Sequence, residues 1–164
     1  MKYRMPTRAL LARALAVATL LWAAALPLAT ASAAAPRSAP LYLFALAIYG
    51  AGSVLCHQLP ARSFHLWNTQ MPVCARCAGL YAGGAVGAAI ASAVRAASTT
   101  PFAARAMLAL AAVPTALTLV YEWTTGDAPG NAPGNAMRAL SGLPLGAVIV
   151  ALLVVQGRRE AEVN

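Results

Sequence analysis

The sequence predicts an all-α protein, a polytopic transmembrane helix bundle of four to five spans. Of its 164 residues, 60% are hydrophobic and only 10% are charged, which leaves too few polar side chains to cover a water-soluble domain. Five intervals carry no charged residue, and each is close to the roughly 20 residues that a helix needs to cross a bilayer. None alternates apolar and polar residues as a barrel strand does. The intervals are 14–36, 38–61, 77–94, 106–121 and 139–157.

Residues 1–35 have a basic start, an apolar run and several Ala-x-Ala sites at their end. That order is typical of a secretory signal peptide, although the apolar run is long enough to remain as a first transmembrane helix. Both alternatives stay open, and both deliver residue 36 to the outer side of the membrane. The transmembrane domain is expected at 36–157, and residues 158–164 are expected to form a polar tail.

The later spans follow from the remaining charge-free intervals. In the third span, Gly79, Gly83 and Gly87 are spaced by four residues, which allows a neighbouring helix to approach closely. A turn-rich segment with a tandem Ala-Pro-Gly-Asn separates the last two spans. The second to fifth spans are expected at about 41–55, 74–94, 104–123 and 137–155.

The net charge of +8 does not indicate nucleic-acid binding, because the twelve Lys and Arg are scattered along the chain. They concentrate only before the first apolar run and at Arg158 and Arg159, where basic residues ordinarily orient a protein in its membrane. We therefore expect a lipid bilayer as the partner and the plasma (inner) membrane as the location. The sequence leaves the oligomeric state open.

All three cysteines and both histidines lie within residues 56–77, named here the Cys/His loop. Soft metal ligands and redox groups do not gather in so short a stretch through composition alone, so this Cys/His loop is the expected functional centre. We expect its middle part to be a polar loop with a short interfacial helix that carries Phe64 and Trp67.

A metal site is the first interpretation of the Cys/His loop. Cys74 and Cys77 have the CxxC spacing that lets two thiolates bind one tetrahedral ion, and Cys56 with one histidine would complete a Cys3His set. Zinc suits such a mixed sulfur and imidazole set. The spacing leaves His57 and His65 both open as the fourth ligand, because two adjacent ligands strain the backbone.

Thiol redox chemistry is the alternative. Cys74 would begin a helix with Arg76 nearby, an environment that favours the nucleophilic thiolate, and Cys56 would be the partner thiol. The protein would then be a membrane thiol-disulfide oxidoreductase acting on a quinone, another small molecule or a protein thiol. A reducing cytosol favours metal binding and an oxidising exterior favours a disulfide. Inert cysteines at helix ends are the third interpretation.

Glu122 closes the fourth span, where an ionisable residue is often functional or paired. With Cys74, it is a candidate catalytic residue, as a base or an additional ligand; the alternative is a charge that reaches the headgroups. Two spans separate the Cys/His loop from the segment after Glu122, so both face the same side. We expect an acid or Asn135 near the Cys/His loop, with Arg62 or Arg76 pairing with that acid.

Counting spans from residue 36 places the Cys/His loop in the cytoplasm. The basic residues at the N-terminus agree with this orientation. The arginines of the remaining loops are divided between the two sides and do not decide it.

Three motifs stand at 56–64, 72–83 and 135–142: Cys-His-Gln-x-Pro-x-Arg-Ser-Phe, Pro-Val-Cys-Ala-Arg-Cys-x-Gly-x-Tyr-x-Gly and Asn-x-x-Arg-x-x-x-Gly. Together they resemble a family of small bacterial and archaeal predicted membrane proteins of unknown function. The resemblance brings no established reaction, but it implies His57 as the fourth ligand, because His65 falls on no motif position. It also implies further site residues, namely Gln58, Arg62, Ser63, Arg76, Tyr81, Asn135 and Arg138.

Overall fold

The computed structural model describes residues 7–35, 38–94, 99–125 and 134–162. These residues are mainly helical, which confirms the predicted all-α class. A 3-10 turn at Pro60–Arg62 and a two-stranded antiparallel β-hairpin connect the second helix to the third. The strands are β1 (Ser63–Leu66) and β2 (Thr69–Cys74), and the helices are α1 (Thr7–Ala34), α2 (Ala39–Leu55), α3 (Ala75–Ala93), α4 (Pro101–Thr125) and α5 (Asn135–Glu162).

Three of the described helices are long and apolar enough to cross a membrane, within α1, α4 and α5. The second helix, α2, is a shorter apolar helix of 17 residues, and α3 has 19 residues. Large apolar side chains such as Leu21, Leu43 and Leu110 are exposed on the outer faces of the helices. Exposed apolar surface of this extent is expected where helices face lipid.

Helices α3 and α5 make the most extensive helix contact of the bundle. A side-chain carbon added to any of the three spaced glycines of α3 would collide with the backbone of α5. The collisions pair Gly79 with Ala139, Gly83 with Leu143 and Gly87 with Ala147. The partners advance together along both helices, so α3 and α5 run parallel. The glycine spacing therefore correctly predicted a face for close helix contact.

Helix α1 covers this pair in the antiparallel direction. Near the start of α1, Ala16 packs with Ala91 and Val154, which lie toward the ends of α3 and α5. Farther along α1, Leu26 packs in one cluster with Val73 of β2. Helix α1 therefore runs from the end of the bundle where α5 finishes to the end that carries the β-hairpin. The end with the β-hairpin is named here the hairpin end.

The expected interfacial helix around Phe64 and Trp67 is wrong. Phe64 lies in β1, and Trp67 lies in the two-residue turn of the β-hairpin. Trp67 and Asn68 have φ angles of 50° and 58°, the left-handed backbone that a tight hairpin turn requires at both central positions. Neither residue is a glycine, so the usual sequence signal of such a turn is missing.

The end of α5 also differs from the expectation. The polar tail expected at 158–164 continues the helix as far as Glu162, and the last two residues lie outside the described part. Arg158 Nη1 donates a hydrogen bond to the carbonyl oxygen of Ala91 at 2.7 Å, which ties the end of α5 to that of α3. The turn-rich segment before α5 falls largely on residues 126–133, outside the described residues.

Replacing Gly83 with Ala should lower the melting temperature of the protein in detergent. The added methyl group would meet the Leu143 backbone, which can move only if α3 and α5 separate. Overpacking of this kind costs about 1–3 kcal/mol, or a fall in Tm of about 2–12 °C, measurable by intrinsic fluorescence. Gly50→Ala is the matched control, because a carbon added there has nothing within 4 Å. Equal Tm values for the two variants would contradict the close contact.

Candidate metal centre at the hairpin end

The three cysteines converge from three different elements. Cys56 caps the C-terminal end of α2, Cys74 ends β2 and caps α3, and Cys77 lies in the first turn of α3. All are free thiols, and their Sγ atoms lie within 4.8 Å of one another. Two sulfurs bound to a common tetrahedral ion at about 2.3 Å lie about 3.8 Å apart. Small side-chain rotations would therefore bring the three sulfurs around one ion.

The β-hairpin places Cys74 against Cys56. Ser63 pairs with Cys74 at the open end of the hairpin, and the backbone N–H of Cys74 donates a hydrogen bond to Cys56 Sγ at 3.1 Å. Hydrogen bonding with the Cys77 thiol lowers the pKa of Cys74 to about 5, although burial acts in the opposite direction. The thiolate is the form that binds metals and attacks disulfides.

Gln58 holds the chain in place after Cys56. Its backbone is left-handed, with φ of 49°, and its Nε2 donates hydrogen bonds to the carbonyl oxygens of Tyr49 at 3.0 Å and Pro72 at 2.7 Å. Gln70 Nε2 donates in return to the Gln58 carbonyl oxygen at 2.6 Å. Gln58 therefore joins α2 to β2 and positions Cys56 next to the β-hairpin.

The two histidines lie apart from the sulfurs. His57 and His65 are both exposed, and the group of close ligand atoms found among the described residues contains the three cysteines without a histidine. His57 does line the same cavity as the cysteines. The structure thus brings together the three predicted sulfur ligands, while the fourth ligand stays a prediction.

Glu122, buried near the end of α4, is surrounded by arginines. Its Oε1 accepts hydrogen bonds from Arg76 Nη2 at 2.8 Å and from Arg138 Nε at 2.9 Å. Arg62 Nη1 lies 3.8 Å from Oε2. The predicted pairing of an acid with Arg62 or Arg76 is confirmed, with Glu122 of α4 as the acid. Glu122 is not part of the sulfur group, and its catalytic role stays a prediction.

Asn135 connects the arginine cluster to the β-hairpin. Its Nδ2 donates a hydrogen bond to the Ser63 carbonyl oxygen at 2.9 Å, and its Oδ1 accepts one from Arg138 Nη1 at 3.1 Å. Because Ser63 pairs with Cys74, the start of α5 is linked through two residues to the cysteine site. Hydrogen bonds and ion pairs thus connect five of the residues implied by the resemblance through Glu122, namely Arg62, Ser63, Arg76, Asn135 and Arg138.

Sequence reasoning missed three residues that support the site. Thr118 accepts a hydrogen bond from Arg76 Nη2 at 3.3 Å and donates one to Ser141 Oγ at 3.2 Å. Trp22 packs edge-on against Tyr81, with ring centroids 5.8 Å apart. Thr118 could have been found, since it lies one helical turn before Glu122. The contact of Trp22 with Tyr81 joins two helices that are far apart in the sequence, so no local sequence pattern indicates it.

A cavity of about 410 Å³ adjoins the cysteines. It is partly open, and it brings the sulfur group and the arginine cluster to one space. Its lining includes Cys56, His57, Gln58, Arg62, Cys74, Arg76, Cys77 and Arg138.

Residues 56–152 match the family described as Predicted membrane protein (DUF2085). The chain belongs to this family. The DUF2085 region begins at Cys56 and extends into α5, so it contains the three cysteines, Glu122 and Arg138 but neither α1 nor α2. The family description names a membrane protein and no reaction.

One relative is an uncharacterised protein, MJ1492, of Methanocaldococcus jannaschii, which is 48% identical over 42 residues. The alignment covers 26% of this chain and 27% of that protein, so it spans only about a quarter of the length of the relative. No solved structure matches the chain. These similarities support a membrane protein of the DUF2085 family. The chemistry of this chain is inferred from its site.

Replacing Glu122 with Ala should destabilise the protein strongly, because Arg138, 5% exposed, would lose its counter-charge. Removing one partner of a buried ion pair costs about 3–5 kcal/mol. Arg62→Ala is the comparison variant, since Arg62 is 33% exposed and exposed ion pairs contribute about 1 kcal/mol or less. Unfolding in mixed micelles, followed by circular dichroism, measures both. Equal stability of the two variants would rule out Glu122 as the structural centre of the cluster.

Proposed function

We propose that this DUF2085 protein holds a metal ion at the hairpin end, with zinc as the ion of best fit. The observation that carries the proposal is the convergence of Cys56, Cys74 and Cys77, whose Sγ atoms lie within 4.8 Å of one another. Three thiolates select a soft or borderline ion, and zinc accepts mixed sulfur and nitrogen ligands without redox change. A metal would also fasten the β-hairpin to α2 and α3.

The proposal assigns the fourth coordination position to His57. This residue follows Cys56 in the chain and lines the same cavity, and its exposed ring can turn without displacing packed neighbours. If His57 does not bind, the ion keeps an open position, as catalytic zinc sites do. The ion could then activate a bound water or substrate, with Glu122 as the candidate base.

Purified protein, prepared under reducing conditions, should contain about one zinc ion per chain, the stoichiometry of a tetrahedral thiolate site. Elemental analysis and competition with a chelator measure this. Replacing any of the three cysteines with Ser should abolish retention of the ion, because two thiolates remain. His57→Ala should weaken zinc binding, whereas His65→Ala is the matched control and should not.

The proposal would be abandoned if the protein carried no metal and none of the cysteine variants changed zinc binding. Retention of zinc by His57→Ala at unchanged affinity would leave the three cysteines as ligands and identify the fourth position as open.

A thiol-disulfide oxidoreductase is the second candidate, and the orientation in the membrane that we propose favours it. The expectation that the Cys/His loop is cytoplasmic depended on residues 41–55 forming a full crossing. Helix α2 instead packs mainly against α1 and β2, and along its second half Tyr49 donates a hydrogen bond to the Gln70 carbonyl oxygen. This supports a hairpin end that is separated from the N-terminus by the single pass of α1.

The charges support the same orientation. Arg13 and Arg158 line one cavity at the end opposite the β-hairpin, named here the basic end, where α4 also begins with Arg105 and α5 finishes with Arg159. The arginines at the hairpin end surround Glu122 instead. Because cytoplasmic ends carry the excess of Lys and Arg, we propose that the basic end faces the cytoplasm and the cysteines face outward. An oxidising exterior would let a disulfide compete with the metal.

Reporter fusions should distinguish the two orientations. With the cysteines outside, alkaline phosphatase fused after Trp67 should be active, and the same enzyme fused after Asn164 of the full chain should be inactive. Green fluorescent protein at the same two positions should give the inverse pattern and serves as the matched control. Phosphatase activity after Asn164 together with fluorescence after Trp67 would restore the cytoplasmic assignment.

A further inference from the structure

We infer that the cavity at the hairpin end binds an anionic oxygen group beside the three cysteines. The role of the bound group rests on the proposed function. Whether the group binds depends on the arginines alone. The relevant side chains are Arg62, Arg76 and Arg138, all of which line the cavity together with the cysteines. Guanidinium groups are planar forks of N–H donors that match carboxylate and phosphate oxygens.

The charges of the cluster do not balance. Glu122 supplies one negative charge to three arginines, which leaves 3 − 1 = +2. This count covers the described residues, and Asp127 lies outside them. The other two acids of the chain are Glu160 and Glu162, at least 22 residues beyond Arg138 on α5, which is about 33 Å along the helix. Excess positive charge therefore remains beside the cavity.

A bound metal does not remove the excess. Three thiolates with one divalent ion carry a net charge of −1, and the Cys74 thiolate carries the same charge without a metal. The described cysteines and arginines together with Glu122 therefore carry about +1 in either state. Charged groups at membrane depth are costly unless they are paired. Among the described groups, an oxyanion in the cavity would supply the missing negative charge in both the metal-free and the metal-bound protein.

Arg76 also has an unsatisfied hydrogen-bond donor. Its Nε is buried and has no hydrogen-bond partner among the residues that the structure describes, although its Nη2 contacts Glu122 and Thr118. Leaving a buried donor unpaired costs stability, more so on a charged group. An oxygen ligand in the adjoining cavity is the chemistry that would satisfy such a donor.

The size and lining of the cavity limit the ligand. About 410 Å³ holds a small carboxylate or phosphate group with a short apolar portion, which Leu55 and Leu59 in the lining would contact. The oxyanion could belong to a soluble molecule or to the headgroup of an anionic lipid. A soluble molecule and a lipid headgroup present the same oxygen atoms to the arginines, so the experiment uses a separate probe for each source.

The test uses the full-length protein, zinc-loaded and zinc-free, in neutral detergent with inorganic phosphate, and in nanodiscs of phosphatidylglycerol or phosphatidylcholine. Calorimetry measures phosphate binding, and lipid exchange measures preference for phosphatidylglycerol. Arg62→Ala should weaken anion binding about 10–100-fold, the loss expected for a charged hydrogen bond, and Arg62→Lys should weaken it less. Arg105→Ala removes an exposed arginine of the basic end and should leave binding unchanged.

Binding of phosphate that depends on Arg62 supports the inference with a soluble ligand. A preference for phosphatidylglycerol that depends on Arg62, without phosphate binding, supports it with a lipid headgroup. The inference is overturned if neither probe binds, or if Arg62→Ala and Arg105→Ala have equal effects. None of these outcomes depends on the three cysteines, so failure of the metal proposal is recognised separately, by elemental analysis.

Discussion

The backbone-to-backbone approach of α3 and α5 is the constraint on which the site depends. Glycines on both helices remove the side chains that would hold the two axes apart, and Gly142 of α5 lies directly against the carbonyl oxygen of Arg76. At this separation the first turns of the two helices adjoin, so Arg76 and Arg138 reach one carboxylate of α4. A wider spacing would separate Arg76 from Arg138 and would break one of the two hydrogen bonds to Glu122 Oε1.

The ion pairs of Glu122 with the arginines and the cluster of three cysteines lie next to each other in the structure. Arg76 lies between Cys74 and Cys77 in the sequence, yet its guanidinium group extends to α4, while the two thiols turn toward Cys56. The first turn of α3 therefore contributes to both clusters from consecutive positions. This arrangement explains how the CxxC motif of this chain accommodates an arginine: the spacing of the thiols leaves the intervening side chain on the face that meets Glu122.

The sequence predicted most of the helices and the gathering of the three cysteines, because charge-free intervals and CxxC spacing are local signals. Parity of the spans also predicted that an acid near the end of α4 pairs with Arg62 or Arg76, since parity needs no knowledge of distances. The β-hairpin was missed because Trp67 and Asn68 adopt left-handed backbone without a glycine. Apolar length alone does not show whether α2 crosses the membrane or stays near one end, and the contacts of Tyr49 and Gly52 with the β-hairpin are the basis for the proposed position near one end.

The parallel direction of α3 and α5 has a further electrical consequence. Both helices begin at the hairpin end, and each N-terminus carries the equivalent of about half a positive charge from its aligned peptide dipoles. Helix α4 runs in the opposite direction and presents its negative C-terminal end close to Glu122. The backbone alone therefore sets up a potential gradient across the cavity, positive on the side of Cys74 and Cys77 and negative on the side of α4. Thiolates and oxyanions are favoured on the first side, and the arginines on the second, by peptide dipoles that no side-chain substitution would remove.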